Sequence, residues 1–363
     1  MAERLELLLK SSPHLALLIK DLHIIEESEL CIWGSWLTDD ESLPFILPLL
    51  VNLERFHIAN DRIYPGDIYL THLPKPVQEA FFATWRSPKL THIAMAGIRF
   101  VSFKDVLSVI SHSSHSVRNI ALCKVDGDDE VEVNGQLVIL GPSSPRGIDS
   151  LTFKPCLDRR STEFYTWLLN PEARFELSSL RKLHFYIGGE STFKKDLSFF
   201  RHILMASPSI EELHIAMNYL YGNMWTDSGP HVPVDISSIR VLHLAVDVFD
   251  CLPVLDWWCD NLTSTPALAL KEFEIYTVPG YTSLCETALD SVPEWKRLDE
   301  ILTSVYQDIN LKIRLLSLSA GNLFVVAEDL RLGFPRLRGK GRLEVDRVDK
   351  VERWRQVDGV YWL

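Results

Sequence analysis

The sequence predicts an α/β fold: a right-handed solenoid, bent into a horseshoe, with a parallel concave sheet of about 10–11 strands and outer helices. Three observations predict it. A short phrase, h-x-x-h-x-h with h apolar, recurs along the whole chain. Its copies stand 27 to 43 residues apart. Helix-like runs fill the intervals. One strand and one helix per ~30 residues make a crossover unit, and one such unit cannot bury its own apolar stripe, so neighbours must stack.

The copies, taken in order, are Ile19-Leu22-Ile24, Leu53-Phe56-Ile58, Leu90-Ile93-Met95, Val117-Ile120-Leu122 and Ile148-Leu151-Phe153. They continue as Leu180-Leu183-Phe185, Ile210-Leu213-Ile215, Ile239-Leu242-Leu244, Leu270-Phe273-Ile275 and Ile313-Leu316-Leu318, with a reduced last copy at Leu343-Val345. Alternation between the fourth and sixth places is strand period, which puts both residues on one face. Helices are expected over 42–50, 76–85, 103–111, 162–169, 192–205, 252–262 and 294–307. The last carries Trp295, Leu298, Ile301, Leu302 and Val305 at helical spacing. Ser12-Pro13, Ser87-Pro88 and Ser207-Pro208 close three of the intervals, since proline lacks a backbone donor and restricts the residue before it.

The whole chain, 1–363, reads as one irregular solenoid domain. Residues 1–18 form an N-terminal cap that starts with a helix over 3–10. Residues 126–147 are an insertion: an acidic loop, then a hairpin around Asn134-Gly135. Residues 219–233 form a Gly- and Pro-containing loop holding Tyr219, Tyr221 and Trp225. Residues 346–363 form a C-terminal cap with Trp354, Tyr361 and Trp362. Caps matter because an open strand edge invites pairing with another chain.

Hydrophobic residues make up 47% of the chain and charged residues 24%, which is ordinary for a folded protein that needs neither disulfides nor metals to hold its core. The net charge of −12 argues against binding to phosphate backbones, which runs on Lys and Arg. The six cysteines, at 31, 123, 156, 251, 259 and 285, form no CxxC pair and are expected to be reduced and buried. Met1-Ala-Glu-Arg lacks the basic start of a signal peptide, and no apolar run is long enough to span a membrane. The expected location is therefore cytoplasmic or nuclear, and the sequon Asn261-Leu-Thr263 is a chance match.

Catalytic motifs are missing. Gly339-Lys-Gly341 is not a phosphate loop, and neither GxSxG nor HExxH occurs. No enzyme and no cofactor is expected. Within each phrase, the residue between the fourth and sixth places faces away from the core. That column reads His23, His57, Ala94, Ala121, Thr152, His184, His214, His243, Glu274, Ser317 and Glu344. His184, His214 and His243 would stand roughly 4.8 Å apart on neighbouring strands. With Tyr186, Tyr276 and Glu274 they are the candidate binding residues of the concave face. A flat ladder converges poorly on one ion, so no metal is expected there. Charging the three histidines together should loosen this face near pH 5. A second candidate is a basic patch of Arg336, Arg338, Lys340 and Arg342, in a segment, 331–355, whose net charge is +5. Its plain alternative is a solvated capping face.

The phrase LxxLxh resembles leucine-rich repeats of the ribonuclease-inhibitor-like type. Glu6-Leu-Leu-Leu-Lys-Ser-Ser-Pro-His-Leu15 followed by Ile19-Lys-Asp-Leu-His-Ile24 looks like the start of the repeats in fungal F-box/leucine-rich-repeat proteins. Ile46-Leu-Pro-Leu-Leu-Val-Asn-Leu-Glu-Arg-Phe56 and Ser87-Pro-Lys-Leu-Thr-His-Ile93 look like their next units. The resemblance implies a non-catalytic scaffold that recognises a protein of unknown identity, acts as a monomer and serves as a ubiquitin-ligase adaptor. Two features depart from the family. No F-box has room before the first repeat, and Leu43-Pro44-Phe45-Ile46 lacks the acid of an F-box start. The Asn or Cys expected three residues after each phrase is present only as Asn218 and Cys156. Alternatives are a stand-alone repeat protein unconnected to ubiquitination, and a small-ligand receptor or enzyme using the concave face.

Overall fold

The computed structural model describes residues 2–26, 36–60, 68–127, 145–155, 158–173, 175–187, 193–217, 233–247, 252–264, 269–278, 293–306, 308–316 and 323–348. The hairpin around Asn134-Gly135, the loop residues Tyr219, Tyr221 and Trp225, and Trp354, Tyr361 and Trp362 of the C-terminal cap lie outside them. The architecture is α/β, with eleven parallel ladder strands flanked by helices. They belong to two compact units, divided between Ser179 and Leu180.

The first unit opens with helix α1 (Ala2–Ser11), over the stretch expected to be helical, and a 3-10 turn (Pro13–Leu18). Its ladder runs β1 (Asp21–Glu26), β2 (Arg55–Asn60), β3 (His92–Ala96), β4 (Asn119–Gly127) and β5 (Ser150–Pro155). Each strand is parallel to the next. Helices α2 (Lys75–Trp85), α3 (Phe103–His112) and α4 (Asp158–Leu168) fill intervals between strands. In α2 the buried residues are Val77, Ala80, Phe81, Thr84 and Trp85, one stripe of a 3.6-residue period. That stripe meets Phe56, whose ring lies 5.9 Å from Phe81 and 6.3 Å from Trp85. Ser102 and Asp105 close the start of α3 with a reciprocal capping box. Asp126 and Gly127, read as loop from sequence, belong to β4.

The second unit runs β6 (Lys182–Ile187), α5 (Phe193–Ala206), β7 (Glu212–Met217), β8 (Val241–Asp247), α6 (Leu252–Ser264), β9 (Glu272–Val278), α7 (Pro293–Ser304), β10 (Asn310–Leu316), α8 (Leu323–Gly333), α9 (Pro335–Gly339) and β11 (Leu343–Val348). Its six strands are again parallel in sequence order. Asn261 sits fully buried in α6, where its side chain accepts from the Val234 N–H and donates to the Trp257 carbonyl. Both its polar ends are thus engaged inside the core. Cys123 and Cys259 are buried free thiols, and the other four cysteines lie outside the described residues.

The phrase sets the register. Fourth-place residues pair with fourth-place residues: Leu22 with Phe56, Phe56 with Ile93, Leu183 with Leu213, Leu213 with Leu242 and Leu242 with Phe273. Sixth-place residues from Ile24 to Ile275 are all buried, as is Val345. Seven of the strands start with one device: two successive N–H groups donate to one carbonyl just ahead of the neighbouring strand. Glu54 and Arg55 donate to Lys20, Arg118 and Asn119 to Thr91, and Arg240 and Val241 to Glu211. First-place residues close the turn that precedes: Leu53, Leu90, Val117, Ile210 and Ile239 each donate their N–H to the carbonyl three residues back.

One copy stands elsewhere than the sequence predicts. β9 pairs Phe273 with Leu311 and Ile275 with Ile313, not with Leu316 and Leu318. The turn-closing N–H is that of Ile309, donating to Tyr306. The tenth phrase is thus Ile309-Asn-Leu311-Lys-Ile313, one residue shorter than the others. The full-length pattern matched a decoy whose strand places lie five residues downstream, at Leu316 and Leu318, because that run is apolar too. In α7, Trp295, Leu298, Ile301 and Leu302 are buried as expected, but Val305 lies past the helix end and is 39% exposed.

Candidate functional site

The face of the second unit that carries the column between fourth and sixth places is a polar ladder. Alternation along a strand puts Lys182, His184 and Tyr186 of β6 on it, beside Glu212 and His214 of β7 and His243 of β8. Glu272, Glu274 and Tyr276 of β9, Lys312 and Arg314 of β10, and Glu344 and Asp346 of β11 continue it. The tenth column residue is Lys312, facing Glu274 and Glu344, which replaces Ser317. The structure brings together all six of the candidates His184, His214, His243, Glu274, Tyr186 and Tyr276 on this one face.

The histidines form a continuous row of ring contacts. His184 lies on His214 with centroids 3.9 Å apart and planes 15° apart. His214 meets His243 edge-on at 4.2 Å, and His243 meets Tyr276 at 5.6 Å. The rings differ in exposure. His184 is fully buried, because the parallel register lays the His214 ring flat on it. Burial, with the neighbouring His214 adding to it, holds the His184 imidazole well below the usual histidine range. Burial and then His214 lower His243 to about 4. Nε2 of His243 is buried with no hydrogen bond, 3.7 Å from Glu272 Oε1 and 3.9 Å from Glu274 Oε2.

Acids in the neighbouring column complete the site. Glu212 Oε1 lies 2.5 Å from His214 Nε2 and 3.1 Å from Lys182 Nζ. Burial works to raise this carboxyl, but His214 and then Lys182 outweigh it and hold it at about 2. Tyr276 donates its hydroxyl to Glu274. Burial raises that phenol, and the carboxylate raises it further. Burial also works to raise Glu274, but Tyr276, His243 and Arg314 hold it below the usual carboxylate range. Arg314 reaches Glu274, Glu344 and Asp346, and Lys312 lies 3.3 Å from Glu274. Such a face offers fixed donors, acceptors and charges.

Sequence reasoning missed Lys182, Glu212 and Glu272, because it did not read the residue before the fourth place, and Arg314, because it set the tenth phrase too far downstream. The signal was available one step earlier. Asp21-Leu-His23, Glu212-Leu-His214 and Glu272-Phe-Glu274 all place an acid two residues before the column, on the same face.

In the first unit the column behaves differently. The His23 and His57 rings lie 4.1 Å apart, but Ala94, Ala121 and Thr152 follow, all buried, beside Ala59, Ala96 and Cys123. Burial and then His23 lower His57 to about 4. This unit also has a cavity of about 240 Å³, whose lining includes Leu70, Phe82, Trp85 and Phe100 and the polar Gln78, Arg86, Asp105 and His112.

The basic patch is mostly engaged within the second unit. Arg342 donates to the carbonyl of Leu302 and Lys340 to that of Thr303, in the last turn of α7 where carbonyls lack helical partners, and Arg342 also donates to Tyr306 and Ile309 beyond it. Arg336 pairs with Glu300 at 2.6 Å, and Arg338 is exposed.

No protein-family model matches the chain, and no curated protein or solved structure matches it either. None of the described helices is long and apolar enough to cross a membrane.

Proposed function

We propose that the chain is a non-catalytic recognition module of the leucine-rich-repeat type, which binds a protein partner along the polar ladder of its second unit. The observation that supports this most is the run of partly exposed, mutually fixed charged and aromatic groups from Lys182 to Asp346 on one sheet face. Pre-set side chains lose little freedom on binding, which favours affinity and specificity. Carboxylates outnumber Lys and Arg on this face by five to three, counting Glu212, Glu272, Glu274, Glu344 and Asp346 against Lys182, Lys312 and Arg314. A basic segment of the partner is the complementary choice. The role of ubiquitin-ligase adaptor would need an F-box joined to these repeats, so the repeats themselves are the recognition half of that reading.

The test is affinity capture under native conditions with three proteins: wild type, Glu344→Lys with Tyr186→Ala, and Arg338→Glu. Circular dichroism should show all three folded. A partner recovered in stoichiometric amount with wild type and Arg338→Glu, and at least tenfold less with the ladder variant, supports the reading. Equal recovery by all three removes it. Loss only in Arg338→Glu would move the interface to the basic segment.

A further inference from the structure

In the first unit, Asp21 and His23 of β1 and His57 of β2 place one carboxylate oxygen and one nitrogen from each imidazole within 4.8 Å of one another. We propose that these three side chains form a binding site for a divalent transition-metal ion of the zinc class. Two imidazoles and one carboxylate are a donor set that suits such ions, and three protein donors leave a further position open to water or another ligand.

Four observations carry the assignment. Asp21 Oδ1 and His23 Nε2 are 2.9 Å apart, close to the roughly 3.0–3.4 Å that separates neighbouring donors around an ion with ~2.1 Å bonds. The His23 and His57 rings are tilted by 32°, so their in-plane lone pairs are not parallel. His57 is only 7% exposed, and its Nδ1 is buried with no hydrogen-bond partner, a state that buried polar atoms rarely keep. Asp21 and His23 have side chains 43% and 41% exposed, which gives an ion a way in. It also leaves both free to rotate through the remaining ångström or so. The pairing of β1 with β2 fixes the arrangement, since His23 and His57 are register partners.

Two similar triads in the second unit are weaker candidates. In His184–Glu212–His214 the rings are nearly parallel, and Lys182 already sits on the carboxylate. In His243–Glu272–Glu274, Lys312 lies within 4 Å of both carboxylates. Among the described residues, Asp21 pairs with no lysine or arginine.

The experiment is calorimetric titration of the chelator-stripped full chain with Zn²⁺ alone, alongside Co²⁺ titration followed by its visible absorption. The variants are Asp21→Asn and His23→Ala, both at exposed positions, with His214→Ala as reference. One equivalent should bind to wild type and to His214→Ala. Affinity should fall at least tenfold in the two first-unit variants, with loss of the Co²⁺ ligand-field band. Absence of Zn²⁺ binding, equal binding in Asp21→Asn and His23→Ala, or loss confined to His214→Ala would each overturn the site.

Discussion

His57 and His243 make the fold sensitive to acid one residue at a time. Each is held neutral at about 4 by burial first and a neighbouring imidazole second. In the unfolded chain a histidine takes its proton near 6.5. Between those values the unfolded state binds more protons, so stability is full above about pH 6.5 and is lost as pH falls towards 4. A shift of that size corresponds to ~3 kcal/mol per histidine over the whole window, and to about 2 kcal/mol by pH 5. Glu272 and Glu274 face His243 with opposite charge, and His214 and Lys182 oppose its protonation. Urea unfolding should show a lower midpoint at pH 5 than at pH 7.5, and His243→Gln should flatten the dependence. An unchanged midpoint would mean that these rings are not buried as neutral groups. The sequence pointed to pH 5 through crowding of three like charges. Burial of single rings is the larger cause, and it adds His57, which lies outside that trio. A second prediction at this scale concerns Lys124, whose φ of 51° lies in the left-handed region at a bulge between Cys123 and Val125. Left-handed backbone costs a side-chain-bearing residue about 1 kcal/mol. Lys124→Gly should therefore raise the melting temperature slightly or leave it unchanged, whereas Lys124→Val should lower it.

At the scale of elements, the buried Asp299 of α7 has a clear task. Its carboxylate accepts the backbone N–H groups of Arg336 and Leu337, both at 2.9 Å, and so caps the start of α9. Asp299→Ala would leave two donors unpaired and should cost ~1–2 kcal/mol, with faster hydrogen exchange in α9. Asp299→Asn keeps an acceptor and should cost less, which separates capping from simple packing. The same junction explains the basic segment. Arg342 and Lys340 bond the carbonyls that end α7, so a cationic run that reads as a docking patch also ties two helices together. None of this is legible in spacing. Capping across 37 residues of sequence depends on which helix ends meet, and the apolar pattern does not encode that. The apolar pattern did place the stripe of α7 and the helices α2, α3 and α5 to within a few residues. It passed over α8, where apolar residues surround the helix without a clear face.

At the scale of the molecule, the repeating phrase predicts the order and register of both ladders, because apolar residues at the fourth and sixth places must share a layer with their neighbours. It failed at Leu311, where one residue is missing from the phrase and a second apolar run lies close by. It also left the candidate site half read, since Glu212 and Glu272 look like ordinary strand-surface acids until the neighbouring strand supplies Lys182 or His243. Stacked layers have a further consequence within the second unit. Each layer is completed by the strands on either side, so stability there should follow nearest-neighbour coupling. Phe273 is fully buried in β9 and pairs with Leu242 and Leu311. Phe273→Ala should cost roughly 3–5 kcal/mol. Hydrogen exchange read by mass spectrometry should then show the greatest loss of protection in β8, β9 and β10, and a smaller loss in β6. Equal loss from β6 to β11 would mean that the six strands open as one block, and that the layers are coupled over the whole ladder instead of strand by strand.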